Sequence, residues 1–369
     1  MKNSKLLTDS APLVVGTGLV ALDVVLADDS RVPARQWAGG TCGNVLLALR
    51  YLGWESAPIA RFREGHAANR ILDDLRRWGA STDFITVADD GSTPVIVQRI
   101  GRTPSGEPYH TFSWRCPGCG NRLPGYRPVL ASVAHRLAAE IGAPQVFFFD
   151  RVSRGALTLA RVAAARGAAI VFEPSGVGHP ALFREAWEIA QVVKYSHERL
   201  QELSAEVEAI NGVLIQIETL GRDGLRYRSR LPGCKTRGWQ RLEALSAEDI
   251  KDTAGAGDWC TAGIVHELLR EGANGLGAVN DAGLGEAIRY GQALATWNCA
   301  FEGARGGMYK VEKEDFERQV ERILRGADSM IAPVTSEQAS TPNASDCVCP
   351  ACETFGAPRI NMSRSSVRV

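Results

Sequence analysis

Four consecutive apolar residues, Val146-Phe147-Phe148-Phe149, end abruptly at Asp150, and no other feature restricts the fold as much. A run this short, without polar alternation, fits a strand buried on both faces. Such strands belong to parallel sheets covered by helices. A helical stretch at 155–166 and a second apolar strand at 169–172 follow it directly. The rhythm recurs along the chain. Residues 12–20, 192–194 and 213–218 read as strands, 45–52 and 67–78 as helices, and long helices follow Ala256 and Leu284. Repeated β-α units predict a mostly parallel sheet with helices on both faces. Segments 23–36 and 93–114 break the alternation, and within the latter 93–100 and 109–114 read as a strand pair.

Chemistry concentrates in Asp252-Thr253-Ala254-Gly255-Ala256-Gly257-Asp258, ahead of an apolar helical stretch at 259–269. Glycines let backbone approach an anion, and the unpaired N–H groups of a helix start, with its dipole, favour negative charge. Asp258 then stands where a transferred phosphoryl group would lie, and a carboxylate there can take a proton from an attacking hydroxyl. A lone Gly-Asp would read more simply as an N-cap. Two acids bracketing a Gly-Ala-Gly turn ask for more.

Three other segments bear on this reading. The first strand leads into Gly18-Leu19-Val20-Ala21-Leu22-Asp23; Gly39-Gly40-Thr41-Cys42-Gly43-Asn44 opens a helix; and Thr219-Leu220-Gly221-Arg222-Asp223-Gly224 follows a strand. Together with the Asp-Thr-x-Gly-Ala-Gly-Asp heptad, they resemble the motifs of the ribokinase family, the PfkB carbohydrate kinases, in the family's order over residues 12 to 325. The resemblance implies a ribokinase-like three-layer α/β/α domain over 12–326, with a mostly parallel sheet and a small β-sheet lid from about 23–38 and 93–114. It implies transfer of the γ-phosphoryl of ATP to a primary hydroxyl of a sugar, sugar acid or nucleoside. Asp258 would be the base, and the N–H groups of 254–257, through Gly255, Ala256 and Gly257, the anion hole. Asp23, Gly39, Gly40 and Asn44 would bind the acceptor. Thr219, Gly221, Gly224, Ser196, Asp252 and Thr253 would bind the nucleotide. Mg²⁺ would accompany ATP, a monovalent cation such as K⁺ would sit near Asp252 and Gly303-Ala304, and a homodimer would form through the lid.

The chain departs from the family at two places. Ser196-His197-Glu198-Arg199 stands where the family usually has Asn-x-x-Glu; Ser196 can still meet a phosphate, and Glu198 is either a replacement acid or a solvated helix start. Arg61-Phe62-Arg63-Glu64-Gly65-His66 replaces a Gly-x-Asp-x-x-Gly motif, and Arg61 and Arg63 read as solvated. A kinase-fold sensor without turnover, docking a partner through its tail, is the alternative function these departures leave open. Another class is an NAD-dependent oxidoreductase, from Gly16-x-Gly18-x-x-Ala21. That fingerprint must open a helix, whereas Leu22-Asp23-Val24-Val25-Leu26 reads as strand.

Cysteines carry a separate signal. Cys116-Pro117-Gly118-Cys119-Gly120, in an insertion at about 115–127, resembles a zinc knuckle, and Cys347-Val348-Cys349-Pro350-Ala351-Cys352 lies in a C-terminal tail, 347–369, beyond a flexible linker at 327–346. Two such pairs complete a tetrahedral site. The expectation is one structural Zn²⁺ on Cys116, Cys119, Cys349 and Cys352, with Cys347 in reserve. Redox-active thiols, a disulfide, or ferrous iron are the other readings. Cys42, Cys234, Cys260 and Cys299 read as core residues.

Composition sets outer bounds. The 369 residues carry 42 basic and 42 acidic side chains, a balance that argues against a broad nucleic-acid or membrane footprint. Residues 1–12 have no apolar signal-peptide core, and no stretch is long enough to span a membrane, so a cytoplasmic location is the default expectation.

Overall fold

In the computed structural model, residues 11–27, 34–103, 108–200, 207, 210, 212–246, 250–326, 349 and 352 are described. The predicted linker 327–346, Cys347, most of the tail and part of the first lid segment lie outside them. Nine strands form the main sheet: β1 (Leu13–Thr17), β4 (Glu55–Phe62), β5 (Ile85–Val87), β8 (Val146–Phe149), β9 (Ala169–Phe172), β10 (Val192–Ser196), β11 (Ile215–Thr219), β12 (Leu225–Ser229) and β13 (Gln240–Leu242). Their spatial order is β13-β12-β11-β10-β9-β8-β1-β4-β5. Pairing is parallel from β5 through β11, and only β12 and β13 run antiparallel, at one edge.

Period-two side-chain alternation explains the layering. Val14, Val146, Phe148, Ala169 and Val171 face one core, which they share with α1 (Thr41–Tyr51), α2 (His66–Arg77), α6 (Ala256–Leu268), α7 (Asp281–Cys299) and α8 (Lys313–Leu324). Val15, Phe147, Phe149, Ile170 and Phe172 face the other, under α3 (Ala131–Glu140), α4 (Arg154–Ala165) and α5 (Pro180–Ile189). Each apolar run thus supplies both cores at once, which is why it shows no polar alternation. Phe149 and Phe172 stack on adjacent strands with ring centroids 4.7 Å apart.

The two segments that broke the rhythm build a second, four-stranded sheet from β2 (Ala21–Ala27), β3 (Arg35–Gly39), β6 (Val95–Arg102) and β7 (Pro108–Ser113), in the order β3-β2-β6-β7. β2 and β6 are parallel and the outer pairs antiparallel. Because β1 passes into β2 rather than into a helix, the glycines at 16 and 18 front no helix N-terminus, and the dinucleotide fingerprint is excluded. Arg61 corrects an expectation: it is 7% exposed, with Nη1 2.6 Å from Asp90 Oδ2, because β4 runs through the sheet interior and a cation there needs a partner. Among the described residues, no helix is long and apolar enough to cross a membrane.

Candidate active site

Parallel strands all end on the same side, so the residues that follow them converge. Asp150 follows β8, Glu173 follows β9, Ser196 ends β10 and Thr219 ends β11. Ligands of open α/β sheets lie outside these carboxyl ends, where the strand order reverses; here that point lies between β1 and β8. A cavity of about 1090 Å³ opens there, walled on one side by the small sheet. Its volume lies just above the roughly 300–1000 Å³ of a single small-ligand pocket.

Asp258 stands in the first turn of α6, half-buried on the cavity wall. Gly255 precedes that helix with φ 74°, a left-handed conformation natural to glycine, and a Cβ there would sit 2.3 Å from the Ala304 carbonyl oxygen. No side chain caps this helix. Of the four N–H groups expected to form an anion hole, two are engaged: Ala254 donates to Asp252 Oδ1 at 3.0 Å and Ala256 to the Thr253 carbonyl at 3.2 Å. Among the described residues no acceptor meets the N–H groups of Gly255 and Gly257. Two of the four N–H groups are thus left without a protein acceptor among the described residues.

Asn44, from α1, donates from Nδ2 to Asp258 Oδ2 at 2.7 Å across 214 residues of sequence. Its Oδ1 accepts from Arg305 Nε at 3.2 Å. Arg305, 1% exposed, also reaches the Ala38 carbonyl and Asp74 Oδ2. So Asn44, expected to bind the acceptor, is also what orients the Asp258 carboxylate. Asp23 lies on the cavity wall, and a Cβ on Gly39 would fall 1.9 Å from its Oδ2, so glycine alone lets β3 pass behind the carboxylate.

Both carboxylates titrate far from the ordinary range. Burial pushes Asp258 up to about 7, aided by Glu173, while Asn44, Lys194 and Arg199 oppose the rise. Burial likewise pushes Asp23 up to about 7 against the pull of Arg305 and the Gly40 N–H. Behind Asp258, Glu173 Oε1 accepts from Lys194 Nζ at 2.6 Å and its Oε2 from Thr261 Oγ1 at 2.5 Å. A Cβ on Gly257 would lie 3.6 Å from Lys194 Nζ, which puts this buried cation beside the turn.

Of the residues expected to bind nucleotide, Ser196, Thr219, Gly221, Gly224 and Thr253 line the cavity, along with Glu198, Arg199 and Arg222. Asp252 is set behind the wall, 2% exposed, with Oδ2 accepting from Gln98 Nε2 at 2.7 Å and from Gly303 N–H at 2.9 Å. His110 Nδ1 lies 3.2 Å from its Oδ1. Burial alone would raise the Asp252 pKa, but His110 and the N–H groups of Ala254 and Gly303 outweigh it and hold it low. Gln98 and His110 come from β6 and β7, so the small sheet is tied to the turn that carries Asp258. Trp37 stacks on Tyr309 with ring centroids 5.4 Å apart, whereas Trp114 lines the cavity and is 53% exposed. Cys42, Cys234, Cys260 and Cys299 are buried. The Sγ atoms of Cys116, Cys119, Cys349 and Cys352 lie within 4.8 Å of one another.

Sequence reading missed Glu173, Lys194, Gln98 and Arg305. For the first two a signal existed: charged residues at the carboxyl ends of predicted parallel strands. Gln98 and Arg305 gave none.

The layered sheet, its lid and the site at the strand ends define the ribokinase-like fold, shared with solved kinase structures. Ribokinase from Giardia lamblia has 17% sequence identity and a TM-score of 0.65, covering 86% of this chain and 99% of its own. Fructokinase with bound ATP from Xylella fastidiosa has 17% identity and a TM-score of 0.61, over 79% of this chain and 93% of its own. Burkholderia thailandensis nucleoside kinase in complex with inosine has 18% identity and a TM-score of 0.59, over 84% and 97%. No curated protein sequence matches the chain. Residues 157–310 match the pattern of the pfkB family carbohydrate kinases.

Proposed function

We propose that this kinase transfers the γ-phosphoryl group of ATP to a primary hydroxyl of a sugar, sugar acid or nucleoside, with Asp258 as general base. One observation carries the reading: a carboxylate held by Asn44 at 2.7 Å, at a helix start whose Gly255 and Gly257 N–H groups have no protein acceptor among the described residues. As the acceptor oxygen attacks phosphorus, its proton passes to Asp258, and the bond to the β-phosphate breaks with ADP taking the electron pair. The transferred group gains negative charge at its equatorial oxygens, and two preorganised N–H groups with the nearby Lys194 cation meet that charge without reorganising. Asp23 holds the acceptor's other hydroxyls, which converts an encounter into a positioned attack.

The nucleotide occupies the arm of the cavity formed by residues 219–225 and the start of α6, and the acceptor the arm under the small sheet. Mg²⁺ prefers phosphate oxygens, water and one or two carboxylates. Glu198, on the cavity rim, supplies such a carboxylate and takes over from the missing Asn-x-x-Glu acid. The Asp252 side chain does not suit K⁺: its oxygens face the donors of Gln98, Ala254, Gly303 and His110. Phe112 and Trp114, 43% and 53% exposed on the acceptor side, offer flat apolar faces that favour a ring-bearing acceptor, a nucleoside, over a bare sugar. ADP release across a panel of sugars, sugar acids and nucleosides tests the reading. Asp258→Asn is expected to lower kcat roughly 10²–10⁴-fold while ATP still binds. Wild-type turnover in that variant would refute the base assignment, and binding without any turnover in the parent protein would favour a sensor.

A further inference from the structure

We propose that Cys116, Cys119, Cys349 and Cys352 hold one zinc ion that staples the C-terminal tail to the root of strand β7. The sulfurs pair across the two segments, Cys116 with Cys352 at 3.8 Å and Cys119 with Cys349 at 3.7 Å. A tetrahedral ion with Zn–S bonds of about 2.3 Å places its ligands about 3.8 Å apart, the edge of that tetrahedron. A disulfide would need about 2.05 Å. These sulfurs are therefore spaced for a shared ion rather than a bond.

The 116–120 segment is shaped as a metal-gripping turn. Gly120 N–H donates to the Cys116 carbonyl at 2.9 Å, Cys116 N–H to the Asn121 carbonyl at 2.8 Å, and Arg115 bridges Arg122. Gly120, at φ 75°, turns the chain back immediately after the second thiol. Cys116, Cys349 and Cys352 are 7%, 2% and 4% exposed and belong to the same apolar cluster as Leu123. Polar or ionised sulfur gathered in such a place is costly unless a cation neutralises it. With four sulfurs the shell is closed, leaving no position for substrate, so the ion is structural.

Its leverage follows from the topology. Among the described residues β7 is the edge strand of the small sheet, paired with β6, and carries His110 and Phe112 before running through Trp114 into Cys116. An ion at 116–119 pins the open end of the strand that walls the cavity.

Metal content of the full-length protein, purified without chelators, decides first, with about one zinc per chain expected. Cobalt exchanged into the site should show the intense visible bands of a tetrahedral thiolate complex. The Cys349→Ser/Cys352→Ser variant alters only the tail, beyond α8, and should lose the ion and raise hydrogen exchange in 108–123. A Cys119→Ser variant, with one thiolate of four gone, should bind zinc roughly 100-fold or more weakly. Several results would overturn the proposal: less than about a tenth of a metal per chain, iron in place of zinc, a Cys116–Cys352 or Cys119–Cys349 disulfide by mass spectrometry, or zinc kept by the tail variant. Unchanged exchange in 108–123 after zinc loss would overturn the staple. None of these readouts depends on kinase activity.

Discussion

If Asp258 is the base, its ionisation must appear in the rate, and its environment says where. Only the carboxylate accepts a proton, and its pKa is pushed up to about 7, first by burial and next by Glu173. The ionised fraction therefore grows as pH rises, so kcat/KM should climb through an acid limb near pH 7 and stand at about one-tenth of its plateau at pH 6. Glu173→Gln removes the neighbouring negative charge and leaves Lys194 unpaired beside the turn, and both changes favour ionised Asp258. A neighbouring unit charge at an effective dielectric of about 20 contributes on the order of 2 kcal/mol, or between one and two pH units. The limb should move to about pH 5.5, and relative activity at pH 6 should rise to about three-quarters of plateau. A buried Lys194 without its partner costs roughly 3–5 kcal/mol, so the variant must be shown folded by circular dichroism. In the double variant Glu173→Gln/Lys194→Met the opposing charges leave together, and the limb should shift less than in the single one. The assay is initial-rate ADP release at subsaturating acceptor, pH 5 to 9, at constant ionic strength. A limb that stays at pH 7 in Glu173→Gln, or rises, refutes Asp258 as the titrating base.

Stability offers an independent check on the same carboxylate. Asp258 binds its proton more tightly folded than unfolded, so its contribution to stability falls as pH rises from about 4 to 7. Asp258→Asn should therefore gain at most ~4 kcal/mol at pH 8 and almost nothing at pH 4, read from denaturant melts; an equal effect at both pH values would count against a carboxylate whose pKa folding raises. Asn44→Ala should raise the acid limb and cost about 1–3 kcal/mol, because Arg305 Nε and Asp258 both lose a partner. Trp114→Ala should raise the KM of a nucleoside acceptor while leaving that of a small sugar unchanged, and equal effects on both would remove the ring-stacking argument.

What the sequence disclosed and what it hid follow one rule. Local patterns were legible: the apolar runs at 146–149 and 169–172 became β8 and β9, and the Gly-Ala-Gly turn became the start of α6. The lid strands were visible because 93–100 and 109–114 broke the helix-strand rhythm. Pairings between distant segments were not. Asn44 reads as an acceptor ligand because its spacing says nothing of Asp258, 214 residues away, and Asp252 reads as a cation ligand because Gln98 and His110 reach it from another sheet. Arg61 reads as solvated because its partner Asp90 is brought to it only by the fold. The cysteine pairs are the exception, since thiols so rarely cluster by chance that spacing alone brought two distant segments together.

Arg305 shows how far such hidden pairings reach. This buried cation donates to Asn44 Oδ1, to Asp74 Oδ2 at 2.8 Å and to the Ala38 carbonyl just before Gly39-Gly40. One planar fork thus fixes the amide that holds Asp258, the strand end that backs Asp23, and helix α2 through Asp74. It also opposes the rise in the Asp23 pKa. Lysine keeps the charge but cannot present several donors in one plane. Arg305→Lys should therefore fold, retain much of the electrostatic effect on Asp23, and lose the orientation of Asn44, so that kcat falls and the acid limb rises. Arg305→Met removes the charge as well and leaves Asp74 with only Tyr309 Oη and the Ala38 N–H as donors among the described residues, at a cost of up to roughly 3–5 kcal/mol. If the lysine variant keeps the wild-type kcat and acid limb, Asn44 is oriented without Arg305, and the coupling between acceptor strand and base is not carried by this residue.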